Sequence, residues 1–276
     1  MKFKKIKENP LLLSRYIKYK CLSGFLKQSC IKEVNGLIYE FDFDTNSNFI
    51  KRMYFNIYEN ELIELMKANL DKGSVFLDVG ANVGYISTVG AGYVGKSGQV
   101  HSFEPVPQHA SYLKNIKKMN PEYNIFVNNC GCSDEEGYSK IDVSVSNIGW
   151  NTMVPNFMDI ADKKESIIVP LYRLDDYIFK NNLKNISFIK IDTEGYELKV
   201  LKGLQRYFEN TKVAERPPIY CEIAPGAYPL LKLSLNSLSN YMEQYSYYAF
   251  DIFGNSRMID ISKLQETTNV LFRCSE

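Results

Sequence analysis

The chain has 276 residues, of which 45% are hydrophobic and 24% charged, and its formal net charge is +1. A chain of this length and composition can bury a full core, which excludes disordered and fibrous proteins and predicts one globular domain with an appendage. No apolar run approaches the roughly 18 residues that span a bilayer, and no signal peptide is recognisable, so we expect a cytoplasmic protein.

The first 30 residues carry most of the positive charge. Eight lysines and arginines, at positions 2, 4, 5, 7, 15, 18, 20 and 27, stand there against one acid, Glu8. Such a segment could contact an anionic membrane or another protein, or it could be a solvated helical face. We assign residues 1–57 to this basic appendage, in which the alternation from Val34 to Phe43 indicates an edge hairpin. The remaining chain is net acidic and lacks a basic stripe interleaved with aromatic residues, so no nucleic acid is expected as a partner.

Strands and helices alternate regularly from Tyr58 onward. The pattern predicts a mostly parallel sheet with helices on both faces, in a domain that covers residues 58–276. After a helix at 58–70, the predicted strands lie at 75–79, 99–103, 124–131, 138–145, 186–191, 218–223, 246–253 and 268–273, and the predicted helices at 83–93, 107–119, 173–181, 196–208 and 230–243.

The run SVFLDVGANVGYIS predicts a nucleotide-type cofactor site, because an apolar strand ends in Asp78 and opens into a turn with Gly80 and Gly84. The dinucleotide pattern G-x-G-x-x-G fails here, since Asn82 and Tyr85 stand where its second and third glycines belong. A pyrophosphate is disfavoured beside a carboxylate, whereas the ammonium and sulfonium of S-adenosylmethionine (SAM) suit one. This argues for SAM and against a nicotinamide-dependent reductase.

The next strand, in the run QVHSFEP, ends in Glu104, and Pro105 follows it. An acid at this position can accept hydrogen bonds from both ribose hydroxyls of a nucleotide. NAD-binding folds share this acid, so it does not discriminate between the cofactors. The alternative is a solvated loop carboxylate.

Residues 144–166 break the alternation and are too many for an ordinary connector. The segment contains Asn147 and the only tryptophan, Trp150. Long loops at strand ends often cover ligands, so we interpret this segment as an acceptor-binding lid, with a disordered insertion as the alternative. Trp150 could stack on a sugar ring or simply pack.

A second group of acids follows two later strands. In FIKIDTEGYELKVLKG the strand ends at Asp192 and Glu194, and in IYCEI the next strand carries Glu222. Carboxylates at these ends lie where open α/β sheets bind ligands, so these three residues are the candidate catalytic groups. Structural alternatives are an interaction of Glu194 with the helix dipole and a pairing of one acid with Lys190. Glu197, one turn further, could support the site or cap the helix.

Six cysteines are present, and we expect reduced thiols, since no C-x-x-C pair occurs. Cys130 and Cys132 could form half of a metal site, but only two histidines are available to complete it. Oxygen ligands from Asp192 and Glu222 would suit Mg²⁺ or Mn²⁺ instead. A metal dependence is left open.

The runs VFLDVGANVGYIS, FEP, NNCGCSDEEG and IKIDTEGYELKVLKG resemble the motifs of the FkbM family of SAM-dependent methyltransferases. The resemblance extends over about residues 58–222. It implies a Rossmann-like class I methyltransferase fold, with a seven-stranded sheet whose last strand is antiparallel. It also implies O-methylation, in this family usually of sugar or polyketide hydroxyls.

The resemblance further implies which residues contact the cofactor. Glu59 matches a family acid near the cofactor, and Gly131 stands where many members have alanine, which affects the adenine contacts. The residues expected to bind SAM are Asp78, Gly80, Ala81, Asn82, Gly84, Tyr85 and Asp192 toward the methionine end, Glu104 and Pro105 at the ribose, Asn129 and Cys130 at the adenine, and Glu59.

Taken together, these patterns predict a SAM-dependent O-methyltransferase that acts on a sugar or nucleotide-activated sugar. Methyl transfer is an in-line displacement, so positioning of the acceptor hydroxyl is expected to supply most of the acceleration. Glu194 is the first candidate for the base, with Asp192 beside the methyl group or orienting the acceptor. The alternatives are a polyketide or other small-molecule hydroxyl as acceptor, a nicotinamide-dependent reductase, and a non-catalytic SAM-fold binding protein.

Overall fold

The structure is a computed structural model, and it describes residues 9–26, 28–43, 47–145, 149–253 and 257–275. Its strands are β1 Cys30–Val34, β2 Leu37–Phe41, β3 Val75–Val79, β4 Gln99–Phe103, β5 Asn124–Asn128, β6 Gly131–Cys132, β7 Gly137–Ser144, β8 Lys163–Tyr172, β9 Ile186–Ile191, β10 Ile219–Ile223, β11 Tyr247–Asp251 and β12 Thr268–Cys274. Its helices are α1 Pro10–Leu22, α2 Ser47–Tyr54, α3 Asn60–Asn69, α4 Tyr85–Val94, α5 Pro107–Met119, α6 Leu174–Lys180, α7 Glu197–Lys202, α8 Gln205–Asn210 and α9 Leu235–Gln244.

A central sheet of seven strands has the order β11-β12-β10-β9-β3-β4-β5. The pairs β10–β9, β9–β3, β3–β4 and β4–β5 are parallel, whereas β12 is antiparallel to both of its neighbours. This is the topology of a class I methyltransferase, with the last strand reversed, and it confirms the predicted fold class.

Apolar side chains on both faces of the central strands explain this arrangement. All five residues of β3 are buried, and its side chains alternate between two separate hydrophobic clusters. Phe76 joins Phe188 and the helices α3 to α5 on one face, whereas Leu77 joins the cluster beneath α6 to α9 on the other. The carboxyl ends of the parallel strands therefore meet at one edge, between the two helical layers.

The hairpin predicted near the N-terminal end is present, but β1 and β2 form a sheet of their own rather than an edge of the central sheet. Asn35 and Gly36 form its two-residue turn with φ of 49° and 87°, the left-handed pair that a type I′ turn requires. The Asn35 side chain donates from Nδ2 to the carbonyl oxygen of Val89 at 2.8 Å, which attaches the hairpin to α4.

The predicted lid differs from the structure at its C-terminal end. β8 begins at Lys163 and pairs antiparallel with β7, so that of the described lid residues only 145 and 149–162 lie between strands. β6 pairs with β8 and completes a second sheet of three strands. The predicted strand 124–131 is therefore shorter in the structure: β5 ends at Asn128, and Gly131 already belongs to β6 in the second sheet. Asn147 lies outside the described residues.

The predicted helix 196–208 is interrupted at Gly203, which separates α7 from α8. A Cβ at Gly203 would lie only 2.2 Å from the carbonyl oxygen of Ser133. The absence of a side chain at Gly203 therefore lets the chain pass close to Ser133 at the break between the two helices. The predicted helix 230–243 begins later, at Leu235, and α2 was not predicted. Among the described residues, no helix has both the length and the apolar character needed to cross a membrane.

Candidate active site

A cleft opens at the carboxyl ends of β3, β4, β9 and β10, where the sequence patterns predict the site. Residues that follow each of these strands line it, and so does the turn after β5. The structure therefore brings together the two groups of acids that are far apart in sequence. The predicted site residues that line the cleft are Glu59, Gly80, Ala81, Asn82, Tyr85, Glu104, Pro105, Cys130, Asp192, Glu194 and Glu222.

Three predicted residues do not line the cleft. Asp78 is fully buried below it and accepts a hydrogen bond of 2.6 Å from the Ser87 hydroxyl. Asn129 donates from Nδ2 to the carbonyl oxygens of Glu104 at 2.9 Å and Pro105 at 3.0 Å, so it supports the turn that Glu104 begins. Gly84 starts α4 with φ of 81°. Direct cofactor contact stays a prediction for these three residues, of which Asp78 and Gly84 are buried and Asn129 is half-buried.

Lys190 is the basic partner of the buried Asp78. Its Nζ lies 3.4 Å from Asp78 Oδ1 and 3.3 Å from Asp192 Oδ2, and it donates to the Gly80 carbonyl oxygen at 2.7 Å. Burial lowers the pKa of Lys190, but the two carboxylates outweigh burial and raise it above its ordinary value. The charge of Asp78 is therefore balanced within the protein, and its proposed attraction for a cationic cofactor is weakened.

Gly80 permits the close approach of two strand ends in the cleft floor. Its φ is 78°, and a Cβ at this position would lie 1.8 Å from the carbonyl oxygen of Asp192. The amides of Gly80 and Ala81 both donate to the Phe103 carbonyl oxygen at 3.0 Å. Glycine adopts this left-handed conformation without strain and fits this space because it has no Cβ. For the same reason, no side chain covers the backbone of the turn where a ligand could approach.

Glu104 is 4% exposed and accepts a backbone hydrogen bond at each oxygen, from Asn82 to Oε2 and from Val106 to Oε1, both 2.8 Å. Burial raises the pKa of Glu104 to about 7, although the two backbone amides oppose the shift. Each oxygen keeps a lone pair for a further donor. Its position at the tip of β4 therefore allows contact with the hydroxyls of a ribose.

Asp192, Glu194 and Glu222 converge from β9 and β10. Each offers a carboxylate oxygen, and these atoms lie within 4.8 Å of one another. Burial and then the charge of Asp192 raise the pKa values of both Glu194 and Glu222 above the ordinary carboxylate range. The cluster can therefore hold a proton near neutral pH, and it can attract a cation.

Glu194 adopts a left-handed conformation with φ of 50°, which is uncommon outside glycine. Neighbouring contacts hold the turn in place. The Thr152 hydroxyl donates to the Glu194 carbonyl oxygen at 2.7 Å, and the Gly195 amide donates to Glu197 Oε1 at 2.6 Å. Glu197 is fully buried and supports this turn from α7, as one of its predicted roles suggested.

Glu59 enters the cleft from the turn directly before α3. It also has a left-handed conformation, with φ of 48°, and its Oε2 accepts a hydrogen bond of 3.0 Å from the Tyr220 hydroxyl. Burial and the nearby Asp192 raise the pKa of Glu59. The predicted acid is therefore part of the same acidic end of the cleft.

One wall of the cleft comes from residues that sequence reasoning missed. α2 and the turn after it contribute Phe49, Arg52, Met53 and Tyr58. The first three lie at helical spacing, which is the signal that could have identified this face. Residues assigned to the basic appendage thus form part of the site.

The lid segment also reaches the cleft, through Gly149, Asn151 and Met153. Trp150 is half-buried but is not among the lining residues. The thiol of Cys130 faces the cleft, and burial raises its pKa to about 12. Cys132 is buried too, and all six cysteines are free, as expected. Neither thiol belongs to a metal-type cluster among the described residues.

These features fit SAM. Carboxylates at one end of the cleft suit the ammonium and sulfonium, the Gly80 turn gives close backbone approach, and Glu104 can accept ribose hydroxyls. The acid cluster of Asp192, Glu194 and Glu222 could also hold a divalent ion. No further carboxylate, thiol or imidazole joins that cluster within the described parts of the chain.

Comparison with curated proteins finds none that matches the chain. Solved structures that resemble it include a methyltransferase FkbM from Methylobacillus flagellatus, with 17% identity, a TM-score of 0.44 and coverage of 95% of this chain. This chain spans 59% of the length of that protein. Others are TYW2 of M. jannaschii in complex with AdoMet, with 16% identity, a TM-score of 0.40 and coverage of 90% and 88% of the two chains, and an Aeropyrum pernix fibrillarin with bound SAM, with 10% identity, a TM-score of 0.43 and coverage of 88% and 82%.

The decisive comparison is with a family model. The methyltransferase FkbM domain matches residues 78–247, which is more than half of the chain and includes the end of β3 and all of β9 and β10 with their acids. The chain belongs to the FkbM methyltransferase family.

Proposed function

We propose that this protein transfers a methyl group from SAM to a hydroxyl of a sugar or nucleotide-activated sugar. The observation that carries the proposal is the convergence of Asp192, Glu194 and Glu222 within 4.8 Å, in the same cleft as the ribose-type acid Glu104. A hydroxyl acceptor must lose its proton, and a carboxylate cluster with raised pKa values is suited to accept one.

SAM supplies a methyl group on a good leaving group. Holding the acceptor oxygen in line, at about 3 Å from the methyl carbon, would provide most of the acceleration. Glu194 would take the hydroxyl proton as the acceptor oxygen bonds to the methyl carbon and the bond between that carbon and the sulfonium sulfur breaks, which leaves S-adenosylhomocysteine. Base assistance of this kind adds roughly 10²- to 10⁴-fold. Asp192 is tied to Lys190 and is better placed to orient the acceptor or to face the positive charge.

A sugar acceptor is supported by polar residues of the predicted lid. Gly149 and Asn151 line the cleft, and backbone and amide groups can form further hydrogen bonds to neighbouring hydroxyls. The apolar residues Phe49 and Met53 on the opposite wall could instead accommodate a polyketide or another small apolar alcohol. The chemistry at Glu194 would be the same for both acceptor classes.

The test is transfer of labelled methyl from SAM to a panel of nucleotide-activated sugars, free sugars, small phenols and macrolide-type alcohols. Methylation of a sugar hydroxyl supports the proposal. Methylation of apolar alcohols alone would show that the acceptor is a polyketide or another small apolar alcohol and not a sugar. NADH-dependent turnover without any methyl transfer would favour a reductase. Binding of SAM without transfer to any acceptor would favour a non-catalytic protein.

A divalent ion is the second way to activate the hydroxyl, favoured by the geometry of the same three carboxylates. An ion held there would lower the pKa of the bound hydroxyl instead of removing the proton directly. Activity that EDTA abolishes and Mg²⁺ or Mn²⁺ restores would assign the activation to a metal. Activity unchanged by EDTA would leave Glu194 as the base.

A further inference from the structure

Arg52 is a charged group in the cleft that the mechanism above does not use. Of the described residues that line the cleft, only Lys190 and Arg52 are basic. Lys190 is buried and fully engaged by Asp78, Asp192 and the Gly80 carbonyl oxygen. Arg52 has no ion pair among the described residues, and its guanidinium carbon lies 5.9 Å from the centre of the Tyr58 ring. Its charge is therefore available to a ligand.

The position of Arg52 relative to the acids is informative. Tyr58 is followed directly by Glu59, and it lines the same cleft as Arg52, Glu59, Asp192 and Glu222. The three carboxylates and the Arg52 guanidinium act on the Tyr58 hydroxyl with opposite signs. A cation and a group of anions are thus both close to one aromatic ring. This is the charge pattern that complements the zwitterionic end of an α-amino acid.

SAM ends in such a zwitterion. Its ammonium suits the carboxylates, but its α-carboxylate would be repelled by Glu59, Asp192 and Glu222 unless a cation offsets them. A guanidinium offers a planar fork of N–H donors that matches a carboxylate. We propose that Arg52 binds the α-carboxylate of the methionine moiety of SAM. The proposal concerns the cofactor, so it does not depend on the identity of the acceptor.

The test compares two cofactor-like ligands by calorimetry. S-adenosylhomocysteine (SAH) contains the amino-acid end, whereas 5′-methylthioadenosine lacks it. Arg52→Ala should weaken SAH binding by about 10-fold or more, the loss expected for a charge-assisted contact, and leave methylthioadenosine binding nearly unchanged. Arg52→Lys should be intermediate, because it keeps the charge but not the fork. Lys51→Ala, at the adjacent position of α2, is the matched control and should change neither affinity.

Two results would overturn the proposal. Unchanged SAH affinity in Arg52→Ala would show that Arg52 does not bind the α-carboxylate and that it contacts either the acceptor or no ligand. An equal loss for both ligands would show that the substitution distorts the cleft, and a melting curve of each variant identifies that case.

An independent observation concerns the exposed apolar side chains of α1. Leu11, Ile17 and Leu22 are 61%, 53% and 48% exposed, and Phe25, just after the helix, is 81% exposed. Another side of the helix is covered, since Leu12 packs with Ile57. This leaves four large apolar side chains on one short segment facing solvent.

The charges around these side chains indicate what they meet. Lys18 and Lys20 are exposed on the same helix, and Lys2, Lys4, Lys5 and Lys7 precede it in the sequence with Glu8 as the only acid. Apolar side chains flanked by lysines suit the boundary between acyl chains and anionic headgroups. We infer that α1 and Phe25 bind an anionic membrane surface. Because α1 packs against Phe55 and Ile57, directly before Tyr58 and Glu59, the α2 wall of the cleft would lie close to that surface.

Vesicle co-sedimentation tests this inference. The protein should bind vesicles that contain phosphatidylglycerol, bind vesicles of phosphatidylcholine alone much less, and dissociate as salt is raised. Leu22→Ser combined with Phe25→Ser should reduce binding by about 10-fold or more, as expected from the lost apolar burial. Ile168→Ser, 69% exposed on β8, is the matched control. Absence of binding to anionic vesicles, or a double variant that binds like the wild type, would overturn it. A dimer in solution that the double variant abolishes, without vesicle binding, would assign the face to a second copy of the chain.

Discussion

At the residue scale, Glu194 combines two costs that a purely structural residue would avoid. Its backbone is left-handed at φ of 50°, and its carboxylate lies beside Asp192 and Glu222 in a half-buried cluster. Strain and like charges of this kind concentrate at functional sites, where they prepare a group for chemistry. We therefore expect Glu194 to lower the stability of the folded protein while it contributes to activity.

Replacing Glu194 with Gln should separate these two effects. The amide keeps the shape and removes both the proton affinity and one negative charge, so turnover should fall about 10²-fold or more while SAH still binds. The same change should raise the melting temperature of the unliganded protein at pH 8, because like-charge repulsion is relieved. Wild-type turnover in metal-free buffer would exclude Glu194 as the base, and a lower melting temperature would contradict the cost assigned to its charge.

Glu197 allows a pH-dependent prediction. Burial raises the pKa of this fully buried acid to about 8, so the folded protein keeps its proton over a range in which the unfolded chain has lost it. The stability that the protonated group contributes is complete below about pH 4.5, the ordinary range, and is lost as pH rises through about 8. Glu197→Gln does not titrate. Its free energy of unfolding relative to wild type should therefore increase between pH 5 and 9 by more than about 1.4 kcal/mol, the value of one pKa unit. Urea titrations give the unfolding free energy of each protein at each pH. A difference between Glu197→Gln and wild type that stays constant from pH 5 to 9 would refute the prediction.

At the element scale, the strands of the central sheet were predictable because burial on both faces produces short apolar runs, and β3, β4 and β9 agree residue for residue with the structure. β8 was missed because charged residues begin it and Pro170 interrupts its apolar run, which disfavours a strand assignment. The acids at the strand ends were also predictable, since parallel strands bring their carboxyl ends together. The burial of Asp78 was not, because it depends on Lys190, 112 positions further along the chain.

The junction of β3 and β9 gives a prediction at this scale. Gly80→Ala would place a methyl group against the Asp192 carbonyl oxygen and impose a left-handed conformation on alanine. The two strand ends must then separate, so we expect a loss of more than about 1 kcal/mol of unfolding free energy together with weakened SAH binding. Gly137→Ala provides the comparison, since its Cβ would meet nothing within 4 Å and φ there is also positive, at 151°. Equal destabilisation by both changes would show that backbone strain alone matters and that the strand contact does not.

At the scale of the whole molecule, one end of the cleft is strongly acidic although the chain carries a net charge of only +1. The positive charge is concentrated in the first 30 residues, and the family model begins only at residue 78, so α2 was not identified as part of the site by the family motifs. The segment before residue 60 nevertheless supplies Arg52 and Tyr58 to the cleft, in addition to Glu59, which the family resemblance had indicated. The sequence motifs thus identified the floor of the site, whereas its outer wall depends on tertiary packing.

The acidic end of the cleft should make the protein discriminate between the cofactor and its product. SAM has one more positive charge than SAH, at the sulfonium, and burial together with the charge of Asp192 raises the pKa of Glu194 to about 8. As pH rises from 6 to 8 Glu194 loses protons, so the attraction for the sulfonium grows, and the bound cation in turn lowers the pKa of Glu194. We expect the ratio of SAM to SAH affinity, measured by calorimetry, to increase with pH, and SAM binding to release protons that appear as a buffer-dependent enthalpy. SAH binding should release fewer protons. If the ratio of SAM to SAH affinity stays constant across this range and the binding enthalpy does not depend on the buffer, the sulfonium does not lie near the acids. The methyl group could then no longer be assigned to the Glu194 end of the cleft on electrostatic grounds.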